Sequence, residues 1–366
     1  MIGACMLAVI AVTQFGTTKF GEQASLYTLE GKDGLKLVVS DFGCRLVECW
    51  APDRDGKPAD VTLGFRSVGE YETNGFCVGM IVGRFGNRIR DGRFTLDGKE
   101  IVLPVNECTP TRHCNLHGGP DGWDSKVWKA KPLKRGDTVG IEFSLVSPDG
   151  DMGFPGEVHA KVRYLVLPGN VWRLEYEATT DRPTVINLTQ HSYFNLAGEA
   201  SGDVRDQQLR IFADEYTLTD TGLIPLRNVP VKGTGFDFTE LTTIRSKVDW
   251  MSKCAALKCT DNWYDHNFVL RGKIGELHPA VVMRDPASGR VLEIWTDQPG
   301  LQMYGAQNFT AALKSKTPGK PLGPYAGIVF ETQHFPDSPN HPEFPSTVLR
   351  PGETYRTVTE YRFKAR

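Results

Sequence analysis

Two runs near the middle of the chain alternate between apolar and polar residues with a period of two, and this pattern most constrains the fold. They cover residues 158–165 and 172–178. Alternation with a period of two is typical of antiparallel strands that bury one face. Strands do not alternate with long amphipathic helices anywhere in the sequence, which argues against a parallel β-α-β architecture. We therefore expect an all-β protein built as a large antiparallel β-sandwich with few short helices.

Other segments repeat the strand signal from end to end. The clearest is a predicted hairpin in which residues 94–96 and 99–103 flank Asp97-Gly98, a pair that tolerates the positive φ angles of a tight primed turn. Further strands are predicted at residues 35–39, 140–145, 280–283, 291–296 and 357–363. One or two short helices are predicted between residues 240 and 258. Many short strands separated by turns favour the sandwich.

The chain shows no linker and no internal repeat, so we expect one domain over residues 20–366. Residues 1–19 are predicted to be an N-terminal extension. Residues 1–12 are uncharged and mostly apolar, like the central part of a signal peptide, but no positive region precedes them. They are too few to span a membrane. The expected location is cytoplasmic, with export as the alternative if this segment belongs to a signal peptide.

Charge and glycine spacing exclude several classes of function. The formal net charge is −2 and no lysine- and arginine-rich run is interleaved with aromatics, so no nucleic-acid partner is expected. Gly79, Gly83 and Gly86 have the wrong spacing for a dinucleotide or phosphate loop. We expect neither a nucleotide cofactor nor a membrane partner.

A histidine and a glutamate 140 positions apart are the main catalytic candidates. His191 lies in a predicted strand, residues 186–196, whose alternate positions place hydrogen-bonding side chains on one face and mainly apolar ones on the other. Such a strand suits a sheet that lines a polar cleft, although a histidine on a solvated sheet face would give the same pattern. Glu331 follows four apolar residues. Because burying a lone carboxylate is unfavourable, it is either paired with a cation or functional.

Three further polar clusters each have a functional and a structural interpretation. His117 precedes two glycines that would let backbone approach a ligand, or it belongs to a plain turn. Asn87 and Arg88 offer donors for hydroxyl groups, or Arg88 forms a surface salt bridge. Asp265 could accept hydrogen bonds from a sugar, or cap a turn. His334 and His341 have no third ligand nearby, so no metal is expected. Taken together, these side chains indicate a carbohydrate ligand.

The order of motifs along the chain resembles the aldose 1-epimerase (galactose mutarotase) family. The resemblance extends from about Phe20 to Phe363 and rests on the segments GRFGNRI, NLHGG, TQHSYFNL, TLTDTGLIP, GTGFDF, YDHNFVL and FETQHFPDSPNHPEFPSTVLRPGE. It implies a galactose mutarotase-like supersandwich, usually one domain, and no cofactor. The implied activity is interconversion of the α and β anomers of free aldoses such as galactose and glucose.

The resemblance also assigns roles to particular residues. His191 matches the family's general acid and Glu331 its general base. The positions that match sugar-holding residues are Asn87, Arg88, His117, Asp265 and, less closely, Gln302. Two segments depart from the family pattern, residues 111–114 and residues 304–309. Both are expected at the rim of the cleft, where they bear on sugar preference rather than on the acid–base pair.

Two rival functions remain open from the sequence. A glycoside hydrolase or lyase on a similar sandwich would use Asp265 and Glu331 as paired carboxylates. A non-catalytic carbohydrate-binding module would bind sugar without changing its anomers. In each case the expected partner is a small-molecule sugar, and the protein is expected to be a monomer or a homodimer.

Overall fold

The computed structural model describes residues 10–253, 264–310 and 312–366. Strands dominate this part of the chain, which confirms the predicted all-β class. The described α-helices are α1 (Val68–Asn74) and α2 (Ile244–Lys253), and the 3-10 helices are Trp123–Ser125, Asp151–Gly153 and Ser338–Asn340. In chain order the strands are β1 (Ala11–Thr17), β2 (Gln23–Glu30), β3 (Lys36–Ser40), β4 (Arg45–Pro52), β5 (Pro58–Asp60), β6 (Ile81–Val82), β7 (Arg88–Arg90), β8 (Arg93–Leu96), β9 (Lys99–Val102), β10 (Glu107–Cys108), β11 (His113–Leu116), β12 (Lys129–Arg135), β13 (Thr138–Ser147), β14 (Val158–Leu167), β15 (Val171–Thr180), β16 (Thr184–Val185), β17 (Thr189–Gln190), β18 (Tyr193–Phe194), β19 (Gln208–Ile211), β20 (Ala213–Thr219), β21 (Pro225–Pro230), β22 (Thr242–Thr243), β23 (Asp265–Leu270), β24 (His278–Arg284), β25 (Arg290–Thr296), β26 (Gly300–Tyr304), β27 (Leu313–Lys314), β28 (Pro321–Leu322), β29 (Ile328–Gln333), β30 (Val348–Leu349) and β31 (Tyr355–Ala365).

Three antiparallel sheets form the body of the fold. The largest has nine strands in the order β12-β13-β14-β15-β31-β25-β24-β19-β22, the second has six in the order β18-β29-β26-β23-β20-β21, and the third consists of β1 to β5. The Thr332 and Thr359 hydroxyls, 2.7 Å apart, join the six- and nine-stranded sheets. The hydroxyl of Tyr164 donates to the carbonyl oxygen of Cys44 at 2.7 Å and so links the nine-stranded sheet to the end of the third. The predicted sandwich is confirmed.

The strongest local predictions agree with the structure. Exposure alternates along β14 and β15, with one face buried, as the period-two pattern requires. Asp97 and Gly98 have φ angles of 50° and 77° and join β8 to β9, because both turn positions need the left-handed region. Helix α2 lies within the predicted helical stretch 240–258, whose last residues fall outside the described ranges.

The N-terminal segment contributes a strand. Strand β1 pairs antiparallel with β2 at the edge of the five-stranded sheet. The first nine residues of the apolar stretch predicted as part of an extension lie outside the described residues. Neither α-helix in the described ranges is both long and apolar enough to cross a membrane.

Candidate active site

Strand register brings His191 and Glu331 together. Strands β18 and β29 pair with Tyr193 opposite Val329 and Phe194 opposite Ile328. Continuing that register by two residues places His191 opposite Glu331. The His191 Nε2 atom lies 3.7 Å from Glu331 Oε1, and both side chains are buried. Two residues distant in the sequence thus form an adjacent imidazole and carboxyl group.

The predicted continuous strand through His191 is wrong. The segment is divided between β17, which pairs with β6, and β18, which pairs with β29. At the break, the His191 amide donates to the carbonyl oxygen of Met80, and the Gly79 amide donates to the carbonyl oxygen of His191. The chain passes from one ladder to another at this point, so His191 lies at a transition between strands. Its exposed fraction is 5%, which excludes a solvated sheet face.

Burial favours the neutral forms of both groups. It lowers the pKa of His191 to about 4. It raises the pKa of Glu331 well above the ordinary value; the negative charge of Asp265 adds to this effect, and the positive charge of Arg88 opposes it. With a pKa of about 4, His191 is neutral near neutral pH. When the pair holds one proton, these shifts favour it on Glu331.

A reciprocal backbone contact orients His117. The amide of Asn87 donates to His117 Nδ1 at 3.1 Å, and the amide of His117 donates to the carbonyl oxygen of Asn87 at 3.1 Å. Burial lowers the pKa of His117 well below its ordinary value, so the ring is neutral. A neutral imidazole whose Nδ1 accepts a hydrogen bond has its proton on Nε2. Glycine is needed next in the chain, because a Cβ at Gly118 would lie 2.1 Å from the carbonyl oxygen of Gly83.

An ion-pair network surrounds Arg88. Its Nε donates to Glu107 Oε2 at 2.6 Å, and its Nη2 donates to Glu107 Oε1 at 3.2 Å and to Asp265 Oδ2 at 3.3 Å. Glu107 also accepts a hydrogen bond from Arg112 Nη1 at 3.2 Å. Sequence reasoning missed Glu107, because no local motif marks it. It meets Arg88 only through the three-stranded sheet β10-β11-β7.

A polar cavity of about 220 Å³ contains most of the predicted site. The wall also includes Arg112, Tyr304 and Phe76. Arg112 and Tyr304 belong to the two segments that depart from the family pattern, and Phe76 lies in the loop after α1. Its wall includes six of the seven predicted residues, namely Asn87, Arg88, His117, His191, Asp265 and Glu331.

The seventh predicted residue, Gln302, lies behind that wall. It is only 2% exposed and stands opposite Glu331 in the β26–β29 ladder. Its Nε2 donates to Asp265 Oδ1 at 2.6 Å. Gln302 therefore contacts a predicted sugar-binding residue, which itself borders the cavity.

The site also contains a possible ligand set for a metal. One ligand atom from each of His117, His191 and Glu331 lies within 4.8 Å of the others, and two histidines with one glutamate are a known zinc set. Because His117 Nδ1 accepts a hydrogen bond from the Asn87 amide, the ring proton is on Nε2. Nε2 therefore offers an N–H donor and has no lone pair with which to bind a metal. His334 and His341 are engaged elsewhere, the first with Gln298 and the second with Glu343. The donor geometry favours hydrogen bonding to a substrate oxygen.

The chain is similar in sequence and fold to proteins of one known family. The sequence model of the family described as Aldose 1-epimerase matches residues 25–362. A galactose mutarotase of Rattus norvegicus is 40% identical over 332 residues, which cover 90% of this chain and 92% of that protein. An aldose 1-epimerase of Escherichia coli (strain K12) is 37% identical over 352 residues, or 94% of this chain and 96% of that protein. The solved galactose 1-epimerase of Lactobacillus acidophilus NCFM superposes with a TM-score of 0.83 at 25% identity, covering 98% of this chain and 99% of that one. The chain belongs to the aldose 1-epimerase family.

Proposed function

We propose that the chain interconverts the α and β anomers of free aldoses, such as galactose and glucose, with Glu331 as general base and His191 as general acid. The observation that supports this assignment is the 3.7 Å approach of the two side chains in the wall of one polar cavity. Glu331 removes the proton of the anomeric hydroxyl while His191 protonates the ring oxygen. The open aldehyde turns about its first carbon–carbon bond, and closure on the other face returns both protons.

The protonation states of Glu331 and His191 fit such a cycle. Ring opening starts with Glu331 ionised and His191 protonated, and it ends with Glu331 protonated and His191 neutral. The directions of the two pKa shifts favour the second arrangement, which is the one present while the sugar is an open aldehyde. As the closed sugar binds, the shared proton therefore has to pass from Glu331 to His191 over their short separation.

The remaining polar residues suit a sugar that is bound by its hydroxyl groups. The Nε2–H of His117 is a fixed donor, and Asp265 is an acceptor held in place by Arg88 and Gln302. Arg88 uses Nε and Nη2 for its carboxylate partners, so Nη1 is the guanidinium nitrogen that can donate to a sugar oxygen. We propose that the sugar-binding residues are His117, Asp265, Arg88 and Asn87, and that the reaction uses no cofactor and no metal.

The hydrolase rival is weakened by the surroundings of Asp265. Both of its oxygens accept hydrogen bonds, one from Arg88 and the other from Gln302. A glycosidase of this kind needs a carboxyl group that is free to donate a proton to the scissile bond, whereas both Asp265 oxygens are already engaged as acceptors. A sugar-binding module would have no use for a buried acid–base pair.

Two substitutions test the proposal. His191→Asn and Glu331→Gln should each slow anomer exchange by about 10²-fold to 10⁴-fold while leaving the fold intact, because each removes one proton-transfer group. Polarimetry of freshly dissolved α-galactose and α-glucose measures the rate, and circular dichroism checks the fold. His159→Asn is the matched control, since the His159 side chain is 60% exposed and lies outside the cavity wall.

Near-parental exchange in either variant would refute the assignment. Release of new reducing ends from oligosaccharides would support the hydrolase.

We also propose cytoplasmic location, a monomer or homodimer, and no nucleic-acid or membrane partner. The formal net charge of −2 supports the absence of a nucleic-acid partner, and size-exclusion chromatography with cell fractionation tests the rest.

A further inference from the structure

The three-stranded sheet β10-β11-β7 places Glu107 and Arg88 on the same face. Glu107 stands opposite Cys114 in the β10–β11 ladder, and Cys114 stands opposite Arg90, two residues beyond Arg88, in the β11–β7 ladder. Directly opposed residues share a face of a sheet, and so do residues two apart in one strand. Both side chains reach the cavity wall, although Glu107 lies outside the segments that carry the family resemblance.

The guanidinium of Arg88 is shared unequally between two carboxylates. Its Nε donates to Glu107 Oε2 at 2.6 Å and its Nη2 donates to Glu107 Oε1 at 3.2 Å, so Glu107 binds one whole edge of the group. The contact from Nη2 to Asp265 Oδ2 is a single one at 3.3 Å, which is longer than the distance of about 2.7–2.9 Å usual for a charge-assisted hydrogen bond. Because the guanidinium is a rigid plane, binding one edge also fixes the direction of Nη1.

Glu107 is itself held in place as an ionised acceptor. Arg112 Nη1 donates to its Oε1 at 3.2 Å, and the thiol of Cys114 donates to its Oε2 at 3.1 Å. Burial alone would raise the pKa of Glu107, but the hydrogen bond from Arg88 and the charge of Arg88 lower it below its ordinary value. Burial raises the pKa of Cys114, so the thiol keeps the proton that it donates. The Glu107 carboxylate is therefore charged and fixed on several sides.

Loss of the negative charge at position 107 would change the partner of Arg88. The other carboxylate in contact with its guanidinium is Asp265. A guanidinium and a carboxylate that are free to approach form a fork of two parallel hydrogen bonds. Such a fork would occupy oxygens of Asp265 that would otherwise accept from sugar hydroxyls, and it would turn Nη1 away from its present direction.

We propose that Glu107 is a positioning residue for sugar binding, whose carboxylate holds Arg88 by one edge and so prevents Arg88 from forming a fork with Asp265. The inference rests on the proposed sugar-binding roles of Arg88 and Asp265. Glu107 acts through these two side chains and not through the acid–base pair. It therefore controls the affinity for the aldose more than the rate of proton transfer.

Glu107→Gln tests the proposal, because it keeps the size of the side chain while removing the charge and one of the two acceptor oxygens. Calorimetry of the full chain with galactose measures Kd, and polarimetry measures KM and kcat. Kd and KM should each rise about tenfold or more, as expected when a hydrogen bond to a charged group is lost, while kcat stays within about threefold. Parental Kd and KM in the folded variant, or a loss confined to kcat, would overturn the proposal.

A charge-balanced variant separates orientation from net charge. Glu107→Gln makes the cavity wall more positive by one unit, and combining it with Arg112→Gln restores the original balance. Arg88 still lacks its partner in this double variant, so Kd should stay raised. Return to the parental Kd would show that charge balance, and not the orientation of Arg88, determines affinity, and the proposal would fail.

A double-mutant cycle tests whether Glu107 acts through Arg88. In the Arg88→Met background, Glu107→Gln should change the Kd for galactose by less than about twofold, because the side chain that Glu107 positions is gone. A further increase of about tenfold would mean that Glu107 acts independently of Arg88, contrary to the proposal. Removing both partners also avoids a buried unpaired charge, so this comparison still decides the matter if Glu107→Gln alone does not fold.

Glu142→Gln is the matched control. Glu142 accepts from the Nε of Arg163 at 2.6 Å in a comparable ion pair, and its side chain is 18% exposed, but it lies outside the cavity wall. The same substitution there should leave Kd and KM unchanged. Calorimetry needs no turnover, so a parent protein that binds galactose without exchanging its anomers would refute the proposed function while still testing the role of Glu107.

Discussion

Replacing His191 with Asn should change how the stability of the protein depends on pH. The pKa of His191 is about 4 in the folded protein and about 6.5 in an unfolded chain. The unfolded state therefore binds an extra proton between these values, and the stability of the parent protein falls as the pH drops through that window. At about 1.4 kcal/mol for each pKa unit, the parent loses about 3 kcal/mol from this group between pH 7.5 and pH 4. His191→Asn has no such group and should lose correspondingly less.

Urea unfolding at pH 7.5 and pH 4 measures the effect. The decrease in the free energy of unfolding over this interval should be about 3 kcal/mol smaller in His191→Asn than in the parent protein. His266 and His334 are also buried with lowered pKa values, but they are present in both proteins and cancel. His159→Asn should behave like the parent. Parallel declines in the parent and in His191→Asn would refute the view that His191 is kept neutral by burial.

Three further perturbations have defined outcomes. The kcat/KM for anomer exchange should fall below about pH 4, because a second proton then enters the acid–base pair at His191, and a pH–rate profile would show this limb. Gly118→Ala should abolish activity and destabilise the fold, since its Cβ would approach the carbonyl oxygen of Gly83 to 2.1 Å; activity and melting temperature retained together would contradict it. Lys316→Met should destabilise the protein by about 3 kcal/mol in urea unfolding, because it leaves the Asp60 carboxylate, whose side chain is only 11% exposed, without its ion pair at 2.5 Å, and a change below about 1 kcal/mol would argue against this.

The sequence predicted most of the architecture because the relevant signals are local. The alternation in residues 158–165 and 172–178 needs only a period-two count, and it appears as the half-buried strands β14 and β15. Asp97-Gly98 specifies its turn through the backbone preferences of two residues. The family motifs likewise located six of the seven predicted site residues in the cavity wall.

What the sequence could not supply depends on contacts between distant segments. Glu107 joins the site because β10, β11 and β7 form one small sheet, and no pattern around position 107 indicates that it meets Arg88. The break at His191 arises from hydrogen bonds to residues 79 and 80, which the local alternation does not reveal. The neutral state of His191 follows from burial, which depends on the completed packing around it.

The register that aligns Glu331 with His191 has a consequence for how such a chain can diverge. Deleting one residue within β29 before Glu331 would reverse the direction of its carboxyl group, because successive side chains point to opposite faces. Length changes in the connection between β26 and β29, which includes residues 305–327, leave this alignment untouched. A change of length near Asn308, which lines the cavity, would therefore alter the wall that faces the substrate without moving Glu331 relative to His191.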